Sequence, residues 1–97
     1  MAVGRKSVVT RGINPDSKLY PDFVKLAKRI RENIRRLRIE KGLTQEQMQD
    51  YEINLRQYQR IEAGETQNMT LANLFKIVQA FKITVAELFE ERKNGHR

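Results

Sequence analysis

The 97-residue chain carries 19 Lys and Arg against 12 Asp and Glu, a net charge of +7, with 39% hydrophobic residues and no cysteine. That is apolar material for one core with little left for a second domain; disulfides and thiolate metal sites are excluded, and no apolar run reaches membrane-spanning length. The positive balance points to nucleic acid, to an anionic membrane surface, or simply to a soluble basic surface.

Residues 1–18 show no steady period and contain Gly4, Gly12 and Pro15, which predicts a flexible basic N-terminal arm. Charges and a Gly12-Ile13-Asn14-Pro15 turn stand where a signal peptide needs an apolar stretch, so secretion is not expected. Residues 19–91 are expected to form the folded domain. Pro21 suits a first helical turn and Asp22 suits the positive end of the helix dipole. Phe23, Leu26, Ala27, Ile30, Ile34 and Leu37 then recur at spacings of three and four, predicting a helix to about Lys41 that Gly42 ends. Its polar face is crowded with Lys25, Lys28, Arg29, Arg31, Arg35 and Arg36.

Thr44 with Gln47 reads as a capping box opening a short helix, Gln45 to Tyr51, with Met48 and Tyr51 inward. Glu52-Ile53 makes a turn. Asn54 is an N-cap for a third helix from Leu55 to Ala63, and Gly64 ends it. After a polar loop from Glu65 to Met69, Thr70 caps a fourth helix with the apolar stripe Leu71, Leu74, Ile77, Val78 and Phe81. Thr84 and Glu87 form a second capping box, opening a last helix that buries Val85, Leu88 and Phe89. Residues 92–97 read as a frayed basic tail that contains the single histidine, His96.

The charge is unevenly spread. Residues 21–41 hold eight basic and three acidic side chains, whereas residues 42–64 hold two basic and four acidic ones. At about 100° per residue, Tyr58 and Ile61 of the third helix share a side that must face the core. Arg56 and Arg60 lie roughly opposite, Leu55 and Gln59 beside them, and Gln57 at the margin. Two guanidiniums and amides on one face suit base edges, because Arg reads guanine and Gln reads adenine; Leu55 could pack on a thymine methyl. Taken alone, the same set also fits an ordinary solvated helix face. No Gly-rich phosphate loop, metal-spaced His or carboxylate cluster, or nucleophile with a histidine base is present, so neither catalysis nor a cofactor or metal is expected.

Across roughly residues 28–90 the chain resembles the phage-repressor/Cro-type (XRE-like) family of helix-turn-helix transcriptional regulators. The matching elements are Ile34-Arg35-Arg36-Leu37-Arg38, Lys41-Gly42-Leu43-Thr44-Gln45-Glu46 and Tyr58-Gln59-Arg60-Ile61-Glu62-Ala63-Gly64. Thr70-Leu71 with Leu74, and Phe81-Lys82-Ile83-Thr84-Val85 with Glu87-Leu88-Phe89, complete the set. The resemblance implies an all-α, five-helix bundle of the lambda-repressor-like type. The reading that follows is a cytoplasmic bacterial regulator, expected to be a repressor, that binds a double-stranded DNA operator; because one helix reads only a few base pairs, a homodimer on an inverted repeat is expected.

Position by position, the resemblance implies phosphate contacts at Thr44 and Gln45, and base reading by Leu55, Arg56, Gln57, Gln59 and Arg60. It further implies phosphate contacts from Gln67 and Asn68 in the loop, and a structural ion pair between Arg38 and Glu62. The helical wheel supports that pair independently, since Arg38 and Glu62 each flank the apolar side of their helices. Besides a second helix one residue shorter than is usual in the family, two departures stand out: the family's small residue in the second helix is Gln49 here, and its turn glycine is Glu52. They put the close packing of the two helices and the left-handed turn in question. Dimer contacts are expected from Ile83 and Phe89. Two other readings stay open: a protein–protein adaptor of antitoxin type using the N-terminal arm, and non-specific nucleic-acid binding led by the first helix.

Overall fold

A computed structural model of the chain describes residues 12–65 and 69–91. Most of the expected arm (residues 1–11), the loop positions Gln67 and Asn68, and the expected tail lie outside the described residues. All regular structure among the described residues is helical: α1 (Tyr20–Glu40), a 3₁₀ helix (Glu46–Tyr51), α2 (Leu55–Ala63), α3 (Leu71–Phe81) and α4 (Val85–Phe89). The five helices follow the expected order, and none is long and apolar enough to cross a membrane.

The part of the arm that is described is locally folded. Asn14 Oδ1 accepts from the Asp16 amide at 2.7 Å, Ser17 Oγ accepts from the Leu19 amide at 3.0 Å, and the two turns lead into α1. A β-carbon at Gly12 would sit 3.3 Å from the Phe23 ring, so glycine permits this close approach. Buried residues of α1 begin only at Ala27 and continue through Ile30, Asn33, Ile34 and Leu37. Leu26 is exposed rather than part of the core, because the first two turns of α1 run ahead of the packed bundle.

The second helix is 3₁₀ rather than α. Its amides bond three residues back, from Gln47 to Thr44 O at 3.2 Å and from Met48 to Gln45 O at 3.1 Å. The helix is only six residues long, and the tighter 3₁₀ bonding occurs in short pieces, although this run exceeds the usual three or four residues. The expected capping box is nevertheless present: Thr44 Oγ1 accepts from the Gln47 amide, and Gln47 Oε1 accepts from the Thr44 amide at 2.8 Å. Glu52 adopts the left-handed turn itself, with φ of 66°. Its carbonyl accepts from Lys76 Nζ of α3 at 2.9 Å, which ties the turn to the bundle.

Met48, Ile53, Tyr58, Ile61, Ile77, Phe81 and Leu88 meet Ile34 in the centre, each nearly or wholly inaccessible. Burying a side chain of this size contributes about 1.5–3 kcal/mol, so this cluster dominates the favourable side of folding. Besides Leu26, two expected core positions on α3 and α4 lie outside it. Leu71 is 78% exposed, since it falls about 120° around α3 from Ile77, the centre of the buried arc. Val85 is 45% exposed because α4 is five residues long and turns only Leu88 fully inward, with Phe89 half-buried.

Asn33 anchors this last helix. From the buried arc of α1 its Nδ2 donates to Leu88 O and to Glu90 O, both at 2.8 Å, satisfying carbonyls at the end of α4. The Thr84–Glu87 capping box closes the other end.

A left-handed residue with a β-carbon costs about 1–2 kcal/mol, of which glycine's chain entropy would return about half. Glu52→Gly should therefore raise unfolding stability by roughly 0.5–1 kcal/mol, seen as a higher urea midpoint at unchanged slope. A lowered midpoint would show that the Glu52 side chain stabilises the turn.

Candidate nucleic-acid interface

The sequence decides the exposed face of α2 through its caps and its buried side. Asn54 Oδ1 accepts from the Gln57 amide at 2.9 Å, and Gly64 ends the helix at φ of 78°. Tyr58, Ile61 and Glu62 are buried. Arg56, Gln57, Gln59 and Arg60 are left exposed, with Leu55 half-buried at the start. A shallow groove of about 520 Å³ runs along this face between Arg56, Gln59, Arg60, Ala63 and Glu65. Arg60 Nε lies 3.8 Å from Glu65, an exposed pair that local solvent weakens.

Thr44 and Gln45 sit at the entry to the 3₁₀ helix. Thr44 Oγ1 is occupied as an acceptor by its capping bond, which leaves the hydroxyl hydrogen to donate. Gln45 reaches across to α2, donating from Nε2 to Glu62 Oε1 at 3.0 Å and accepting from Gln59 Nε2 at 3.4 Å. One amide thereby connects the start of the 3₁₀ helix to both the buried and the exposed sides of α2.

Glu62 is the hub beneath this face. Arg38 grips it bidentately, Nε to Oε2 at 2.7 Å and Nη2 to Oε1 at 3.2 Å. The Tyr58 hydroxyl also donates to Oε2, and Arg38 Nη1 donates to Leu43 O at 2.8 Å. Side-chain exposure is 12% for Arg38 and 4% for Glu62, so this is a buried pair rather than a surface one. Burial alone would push the Glu62 carboxyl up. Bonds from Arg38, Tyr58 and Gln45, with the Arg38 charge, outweigh it and hold the carboxyl below the usual range. The hydrogen bond to Glu62 holds Arg38 up in turn, while burial and then the bond to Glu62 push the Tyr58 phenol well above its ordinary value.

The Tyr58 hydroxyl was not anticipated from the sequence, although its four-residue spacing from Glu62 puts both on one helix face. Arg31 and Arg35 also come close to α2. Arg35 lines a second groove of about 360 Å³ with Arg38, Gln45, Gln59, Glu62 and Ala63. A β-carbon at Gly64 would sit 3.1 Å from Arg31 Nε. No cluster of His, Cys, Asp and Glu suited to a metal ion occurs among the described residues.

A family model described as helix-turn-helix matches residues 34–88, more than half of the chain. Comparison with curated proteins and with solved structures gave no match.

Removing one partner of a buried pair strands the other, at a cost of about 3–5 kcal/mol. Arg38→Ala and Glu62→Ala should each cost about 3 kcal/mol in denaturant unfolding, and the double variant should fall short of their sum by about 1–3 kcal/mol. Strict additivity would mean that the two side chains do not interact energetically. The lowered Glu62 carboxyl also fixes a pH dependence. Its stabilisation is complete above the ordinary carboxyl value of 4.5 and is lost as pH falls through the lower folded-state value. Glu62→Gln should flatten that acid limb of stability against pH.

Proposed function

The chain belongs to the helix-turn-helix family of XRE-like DNA-binding regulators, and on that premise we propose that it represses transcription by seating α2 in the major groove of a specific operator. The supporting observation is the exposed face of α2, with two guanidiniums and two amides on a helix held in place by Glu62. Arg56, Gln57, Gln59, Arg60 and Leu55 read base edges. Thr44 and Gln45 contact phosphate, with Gln45 also bracing α2, and Gln67 and Asn68 contact phosphate from the following loop. Occupying the site blocks promoter access. The chemistry is binding rather than catalysis and uses no cofactor.

A single such helix reads only a few base pairs, so selectivity against a genome calls for two copies. Apolar surface left open on α3 and α4 supports self-association: Leu71, Phe75 at 55% exposure and Val85 at 45%. Val85 and the half-buried Phe89 lie one turn apart on α4, with half-buried Ile83 just before it. A two-fold dimer through this end would place the recognition helices about 34 Å apart on an inverted repeat.

Selection from a random duplex pool at physiological salt should return an inverted-repeat motif. Arg56→Ala should lower affinity for it by about 1–3 kcal/mol and relax preference at one or two base pairs in each half. An unstructured pool, or an unchanged motif with both Arg56→Ala and Arg60→Ala, would refute base reading by α2. Sedimentation at micromolar concentration should show a dimer that Val85→Glu dissociates; a monomer both alone and on DNA would remove the two-fold arrangement.

A further inference from the structure

The arginines of α1 fall into two groups that the structure treats differently. On the edge towards α4, Arg29 lies 3.7 Å from Glu91, and Arg36 lies 3.2 Å from Glu40 while donating to Asn33 Oδ1. These charges are matched. On the edge towards α2, Arg38 is consumed by Glu62, but Arg31 and Arg35 have neither ion pair nor hydrogen bond among the described residues. At 100° per residue the three arginines fall within an arc of about 60°, so the edge that bonds to Glu62 continues as a ridge of two unmatched guanidiniums.

This ridge lies alongside the exposed face of α2. Arg35 shares its groove with Gln59 and Ala63, and Arg31 lies over the end of α2 at Gly64. Arg35 is exposed and Arg31 half-buried, so both can reach solvent. Two unmatched like charges a turn apart repel, a modest cost that a facing anion would reverse.

We propose that Arg31 and Arg35 form a phosphate clamp that grips one DNA strand beside the groove occupied by α2. The inference rests on the DNA-binding reading of α2. A helix with its side chains is about 10–12 Å across, and the major groove is about 12 Å wide, so α2 fills it. Groups flanking the helix therefore meet the sugar–phosphate wall rather than base edges. Guanidinium is suited to that wall, since its planar fork bonds two phosphate oxygens at once. The clamp also resolves the charge balance of the chain. Residues 42–64 are acidic in sum, so the net attraction of the domain for phosphate draws on charge outside them, and this ridge is one unmatched source beside α2.

The test compares Arg31→Gln/Arg35→Gln with Lys25→Gln/Arg29→Gln, which removes the same charge from elsewhere on α1. Binding to the selected duplex and to a random duplex is followed from 50 to 200 mM salt, with thermal melting as a check on folding. Each lost phosphate contact lowers the log–log salt slope by about 0.9. The clamp variant should thus lose between one and two from its slope on both duplexes, with an affinity fall of about tenfold and the selected motif retained. The Lys25/Arg29 variant should keep a slope close to that of the parent. An unchanged slope, an equal loss in both variants, or a changed motif would overturn the clamp; the last would mean base reading by these arginines. Failure of the α2 reading is separately visible, because the parent protein would then select no motif while the slope comparison on random duplex still judges the clamp.

Discussion

A single buried carboxylate holds the DNA-binding part of this fold in register. Glu62 receives Arg38 from α1, Gln45 from the 3₁₀ helix and Tyr58 from its own helix, so three elements converge on two oxygens. Hydrophobic packing is non-directional and would tolerate small rotations of α2. Hydrogen bonds of fixed geometry tolerate them less, and a half-satisfied set would cost more than an apolar core. The network therefore contributes orientation as much as stability: it holds α2 against α1 and the 3₁₀ helix and sets how far Gln59 stands from the latter.

Much of this was legible in the sequence, for local reasons. Asn54, Thr70 and the Thr84–Glu87 box are caps whose chemistry is complete within four residues, and each is found at its expected place. The buried and exposed sides of α2 follow from spacing alone, as Tyr58 and Ile61 leave little freedom to the others. What spacing could not supply was tertiary reach. Leu71 obeys a four-residue repeat with Phe75, yet among the described residues both stay exposed. Asn33 interrupts an apolar arc, and only the arrival of α4 explains it.

The turn at Glu52 shows where local and global preference disagree. A glycine would adopt this backbone without strain, but the left-handed conformation persists with glutamate because flanking helices and the Lys76 bond determine it. The close approach of the 3₁₀ helix and α2 survives both departures, Gln49 and Glu52. Gln49 is accommodated by pointing outward, its amide donating to Glu46 O at 3.1 Å.

The attachment of α4 carries a consequence for native-state fluctuation. Five residues are too few to sustain a helix alone, so α4 exists only while Leu88 stays buried and Asn33 keeps its two carbonyls. Such a segment opens as a separate cooperative unit, at a free energy well below global unfolding, and its amides would exchange with solvent before those of α1 or α3. If the same helix forms the contact between two copies, opening and association compete for it. Mass action then makes the order of the C-terminal segment depend on protein concentration, so a dilute monomer would be frayed where a concentrated dimer is locked.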